Sequence, residues 1–302
     1  MSKKCNFRKQ ERKWLSRQTR VPTPATCDNR NRCAQAVMKN MNKIFLILFF
    51  LTNVSFAQSN EKFLSDFLLE DKLETKNSID QFKKFDFSKL WLQTDNDLIY
   101  GIIGEEHQRI RIKLISIKKN PQNPIEYLVY GKSMVKETIC EFNGTIKIKE
   151  IKEVVDQHFG IDSSFANKGI RSQGIIIADY EFKENKEQEH SGLFKGQLYS
   201  KWYLNKKNNV RYDDIQSISD SYSNNAFIGV WKSYKTGKEK ICNWADYRVP
   251  KANQDFDIGA GEFSVSEKYL DRGWLDITLK NQVPNQAIKK SKGAKNSKEW
   301  WQ

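Results

Sequence analysis

The chain has 302 residues, 12% of them aromatic, and a formal net charge of +14, but the excess sits at its ends. Residues 1–57 hold twelve Lys/Arg against Glu11 and Asp28, and lysines 289, 290, 292, 295 and 298 face only Glu299. Residues 58–288 balance at 34 basic against 34 acidic side chains, which argues against a nucleic-acid groove, and the aromatics supply a core, which argues against a disordered chain.

Residues 1–40 form a basic extension that the next segment has no need of, and a start at Met41 is the expected one. From there the chain reads as a cleavable signal peptide over 41–57. Lys43 is the positive region, Ile44 to Leu51 the apolar run and Ser55-Phe56-Ala57 the small-x-small cleavage site. The apolar run is too short to span a bilayer. Export of the remainder is therefore expected, to the periplasm, the cell envelope or the medium.

Residues 58–90 read as a helical lead-in. Phe63, Leu64, Phe67 and Leu68 share one helical face, and a second short helix is expected at Ile79 to Phe85, where Ser78 and Gln81 have capping-box spacing. From Leu98 the period changes to two. Arg109 to Leu114 alternates cations with apolar residues, Asn120 to Pro124 is a turn, and Glu126 to Val135 is a strand. A further strand places Cys140, Phe142, Ile146 and Ile148 on one face. These make a first β half over 91–152, with a less periodic connection at 153–173. A second β half over 174–274 has strands at Gly174 to Phe182, Leu193 to Leu204, Val210 to Ile215, Ala226 to Tyr234 and Lys238 to Trp244. Residues 275–302 read as a basic tail.

The expected fold is mainly β and antiparallel, either one barrel-like body or two related halves, with short N-terminal helices. The second arrangement draws on an internal echo, Lys136-Glu137-Thr138-Ile139-Cys140-Glu141-Phe142 against Lys238-Glu239-Lys240-Ile241-Cys242-Asn243-Trp244. An F-x-G triplet recurs at Phe142, Phe194 and Phe227, as glycines would where strands bend beneath a packed ring. Gly229-Val230-Trp231 is a G-x-W triplet like that of lipocalins, although it stands deep in the chain. The segments Tyr127 to Ser133, Asp255 to Phe263 and Tyr269 to Trp274 resemble a group of exported β-rich proteins, over about Leu98 to Trp274. That resemblance implies no activity.

Beyond the leader only Cys140 and Cys242 remain, and an oxidising compartment would join them in a disulfide; the alternative is two buried small hydrophobes. Asp255, Asp257 and Glu262 in a Gly-rich loop offer oxygen ligands suited to Ca²⁺, or else form a turn with solvated carboxylates; no other cofactor is indicated. Asp213, Asp214 and Asp220 form a second acidic cluster. Trp202, Trp231 and Trp244 could floor a ligand site, or fill a β core. His107, His158 and His190 lack zinc-site spacing, and no nucleophile elbow or Walker loop is present. The function expected is an exported, non-enzymatic binding or envelope-interaction protein for a small molecule, a glycan or an envelope component. The alternative is a carboxylate-dependent hydrolase acting on glycans or envelope material. Five lysines with Trp300-Trp301 read as a disordered basic tail, or as a contact for an anionic membrane surface.

Overall fold

The computed structural model describes residues 62–69, 71–160, 163–277 and 299–302. The basic extension, the leader and most of the tail lie outside them. The period-two alternation becomes nine strands: β1 (Ile99–Ile103), β2 (Gln108–Lys119), β3 (Glu126–Val135), β4 (Thr138–Glu153), β5 (Ile170–Glu184), β6 (Gly192–Asn205), β7 (Val210–Tyr212), β8 (Asn224–Ser233) and β9 (Glu239–Asp246). Their order is β5-β4-β3-β2-β1-β9-β8-β6-β7, and β5 also pairs with β6, so the antiparallel sheet closes into a ring. Strands from both expected halves share this one ring.

An eight-strand circuit leaves an interior only wide enough for side chains, and aromatic rings fill it here. Cys140, Phe142, Ile146 and Ile148 point inward from β4 while Glu141, Asn143 and Lys147 point out. Phe227 stacks on Trp244 with ring centroids 4.6 Å apart, Phe142 on Phe182 at 5.0 Å, and Tyr180 meets Trp244 edge-on at 5.3 Å. Each such ring removed from water stabilises by roughly 2–3 kcal/mol. Glycine makes room for them. Gly196 and Gly229 face each other across β6 and β8, and a Cβ on Gly229 would lie 2.2 Å from the Lys195 carbonyl and 2.7 Å from the Tyr180 hydroxyl.

The echoed heptads hold equivalent places. Each leads from a tight turn into a strand, β4 or β9, whose cysteine and following aromatic are buried. The expected disulfide is nonetheless absent: Cys140 and Cys242 are free, buried thiols. In the ring β3, β2 and β1 separate β4 from β9, so the two thiols stand on strands that are not neighbours.

The two ends of the barrel close differently. At one end, tight turns surround a buried carboxylate, Glu184, which accepts from Ser133 Oγ, from Trp231 Nε1 at 2.9 Å and from the Gly192 amide at 2.7 Å. At the other end, the lead-in turns inward. Helix α1 (62–68) lies against the outer wall, where Phe67 and Leu68 meet Ile175, Tyr199 and Ala226. Helix α2 (Ile79–Phe82) and the 3-10 turn Ser88–Leu92 then insert Phe82, Phe87, Leu90 and Trp91 as a plug. Phe82 meets Trp202 at 4.7 Å and Trp91 meets Tyr127 at 4.9 Å, both edge-on.

After β9, residues 249–277 form a satellite core of Phe256, Phe263, Tyr269 and Trp274 over β1. His107 belongs to it: its Nδ1 donates to the Glu105 carbonyl at 2.7 Å and its Nε2 accepts from the Asn253 amide at 3.0 Å. No helix among the described residues is long and apolar enough to cross a membrane.

Candidate functional site

The plugged end gathers the polar chemistry of the molecule, because strand pairing changes there. The first half of β6 pairs with β8 as far as Tyr199, and its second half pairs with β7 from Trp202. Ser200 and Lys201 fall in the gap. The Asn224 side chain takes the place of a strand: its Oδ1 accepts from the Lys201 amide at 2.7 Å and its Nδ2 donates to the Lys201 carbonyl at 3.1 Å. A buried peptide group left unpaired would cost several kcal/mol.

Outside this gap lies a charge cluster drawn from four segments, with Lys201 and Asp213 buried and Asp71 and His158 half-buried. His158 Nε2, from the β4–β5 connection, stands 3.4 Å from Asp71 Oδ2 of the lead-in and 3.8 Å from Asp213 Oδ2, just past β7. Lys201 of β6 is 5% exposed and its Nζ has no hydrogen-bond partner. It sits over the rings of Phe67, at 4.6 Å, and Tyr222, at 5.0 Å. Burial pushes its pKa down to about 8, against the pull of Asp213 and Asp71. Burial also works against the His158 imidazolium, but the hydrogen bond to Asp71 and the charge of Asp213 outweigh it, and the pKa rises. Burial raises Asp213 as well. Rings and protein segments cover the cluster, so its evident chemistry is to pin the lead-in to the barrel.

Inside the gap, a second network ties the plug to the wall. Trp91 Nε1 donates to Ser200 Oγ at 2.9 Å, and Ser200 in turn to Asn225 Oδ1 at 2.9 Å. Asn225 Nδ2, Thr94 Oγ1 and Tyr212 OH all donate to Asp246 Oδ2, at 2.8, 2.7 and 2.9 Å. Burial drives the Asp246 carboxyl up to about 7 in spite of these three donors.

Beside the plug is an open pocket of about 380 Å³, lined by Phe85, Asp86, Lys89 and the β6–β7 hairpin residues Asn208, Asn209, Val210 and Arg211. It falls within the size range of small-ligand sites. Its one carboxylate, Asp86, already accepts from the Ser88 amide at 2.9 Å. Lys89, Arg211 and the two asparagines leave polar groups for a ligand, and Phe85 supplies an apolar face.

The residues singled out from sequence go elsewhere. Trp202 and Trp244 lie in the filled interior, at 0% and 2% exposure, and Trp231 is half-buried with its indole bound to Glu184. The three carboxylates of the Gly-rich loop do not converge. Asp255 accepts from Lys268 Nζ at 2.7 Å and Tyr269 OH at 2.8 Å, and Glu262 is exposed. Asp257 accepts from Arg248 Nη1 at 2.6 Å, while Nη2 of the same guanidinium reaches the carbonyls of Gly259, Ala260 and Gly261. The arginine therefore occupies the place a cation would take, and no group of three metal-ligating side chains forms among the described residues. Of the second acidic cluster, Asp213 alone is buried. His158, Lys201 and Asp246 carried no sequence signal of their own. No family model, curated protein or solved structure matches the chain.

Proposed function

We propose that this chain is an exported, non-enzymatic binding protein that holds a small molecule or glycan fragment at the pocket beside the plug. The observation that carries the reading is the contrast between a barrel packed solid with aromatic rings and an open pocket of about 380 Å³ at its rim. Among the described residues a ligand has room at the rim, whereas aromatic rings occupy the interior. A hydrolase of the two-carboxylate kind needs a pair of acids about 5–10 Å apart facing the substrate; this pocket has one, and its hydrogen-bonding capacity is partly spent on the backbone. The leader in the sequence supports export to a compartment where such ligands occur.

The test is a thermal-shift screen of the full chain against mono- and oligosaccharides, sugar acids and short-chain lipids, repeated with Arg211→Ala and Asn209→Ala. A ligand that raises the melting temperature of the parent but of neither variant supports the reading. A ligand that stabilises all three equally places binding elsewhere and overturns it, as does ligand turnover under the same conditions.

A further inference from the structure

The outer wall of β2, β3 and β4 has a composition that the barrel does not need. Antiparallel barrels in water alternate apolar residues in and polar residues out. Here Leu128, 50% exposed, and Ile115, 38% exposed at the β2 bulge, stand outward beside half-buried Tyr130. The register brings them together: Leu128 lies between Lys118 of β2 and Thr145 of β4, and Tyr130 lies between Ser116 and Asn143. Lys118 and Lys147 are exposed and have no ion pair among the described residues, whereas Lys132 on the next rung is tied to Glu141 at 3.2 Å.

The end of the chain adds to the same wall. Lys113 Nζ of β2 lies 4.7 Å from the ring centre of Trp301, which meets Trp300 edge-on at 5.5 Å. Further back, Arg109 and Arg111 of β2 hold Asp276, the latter at 3.1 Å. In sequence, the residues 278–298 between these two anchors carry six lysines and no acid.

We infer that this wall, through Leu128, Ile115, Trp300, Trp301, Lys118 and Lys147, docks on an anionic lipid surface. Unpaired lysines are drawn to anionic headgroups within a Debye length. Indole rings favour the headgroup level, and exposed aliphatic side chains gain by leaving water there. A polyanion such as DNA would satisfy the lysines but give Leu128 and Ile115 nothing. The inference extends the envelope-binding reading to a second surface that shares no residue with the pocket lined by Lys89 and Arg211.

The experiment is co-sedimentation of the full chain with vesicles of phosphatidylcholine alone and of phosphatidylcholine with phosphatidylglycerol, at low and high salt. Binding is expected only to the anionic vesicles, with loss at high salt and a blue shift of tryptophan emission. Each lysine near such a surface is worth about fivefold in affinity, so Lys118→Gln with Lys147→Gln should weaken binding about thirtyfold. Leu128→Ser should also weaken it, and Arg211→Ala should leave it unchanged. Circular dichroism and melting curves confirm that the variants fold. Equal binding to both vesicle types, no binding to either, or binding to duplex DNA and anionic vesicles alike with no effect of Leu128→Ser would each overturn the inference. Since Arg211→Ala reports on the pocket and the lysine pair on the wall, failure of one reading is distinguishable from failure of the other.

Discussion

Replacing Asp246 by Asn tests the network that joins plug to barrel. The three donors around Asp246 converge on Oδ2, and an Asn Oδ1 can accept from all of them, so the substitution removes the titration while keeping the geometry. The native carboxyl is raised from 3.8 to about 7 by burial. Between those values the folded chain keeps a proton that the unfolded chain has released, so stability falls as pH rises through that window and is level above it. A shift of about three units corresponds to about 4 kcal/mol. Urea unfolding of both proteins at intervals from pH 4 to 8 gives the difference directly. Glu184 and Asp213, also raised by burial, are common to both and cancel. Asp246→Asn should gain on the parent by about 4 kcal/mol between the acid and neutral limits. A difference that is flat with pH, or that moves the other way, would refute the assignment of a buried, proton-holding Asp246.

His158→Gln should cost most in acid: the raised pKa gives stability that is complete below the unfolded value of 6.5 and lost as pH rises through the folded one, so the gap between parent and variant should narrow with rising pH in the same unfolding assay. Gly229→Ala forces a Cβ against the Lys195 carbonyl and the Tyr180 hydroxyl, and should destabilise by about 1–3 kcal/mol, read as a lower urea midpoint with unchanged slope. Chain cleaved after Ala57 should titrate two thiols in denaturant without reductant and react slowly when native, because Cys140 and Cys242 are free and buried; an absence of thiols in denaturant would restore the disulfide.

The strands were legible because alternation is a local signal. Glu126 to Val135 is β3 as read, and Ala226 to Tyr234 departs from β8 by only a residue or two at each end. A barrel-like body is one of the two arrangements the sequence suggests, but which strands close it was not legible, since closure depends on β1 meeting β9 and β5 meeting β6, pairings that no local pattern encodes. The expected helix at Ile79 to Phe85 shortens to Ile79–Phe82 because Phe82 and Phe87 turn into the barrel mouth. The aromatics were visible as a group, but burial decides between core and ligand floor, and burial comes from the closed sheet. Asp71, His158, Lys201 and Asp213 lie far apart in sequence and converge only where β7 and β8 divide the edge of β6. An oxidising compartment is a reason to expect Cys140 and Cys242 to pair, but the two stand on strands that are not neighbours and are free thiols.

The Gly-rich loop around Arg248 carries its own counter-ion on a covalent leash. Its positive centre is present at one per chain in any buffer, cannot be stripped by a chelator and does not exchange with the medium. Three carbonyls and one carboxylate are thus organised at a stoichiometry set by translation, so the loop keeps its shape without drawing an ion from the surrounding medium.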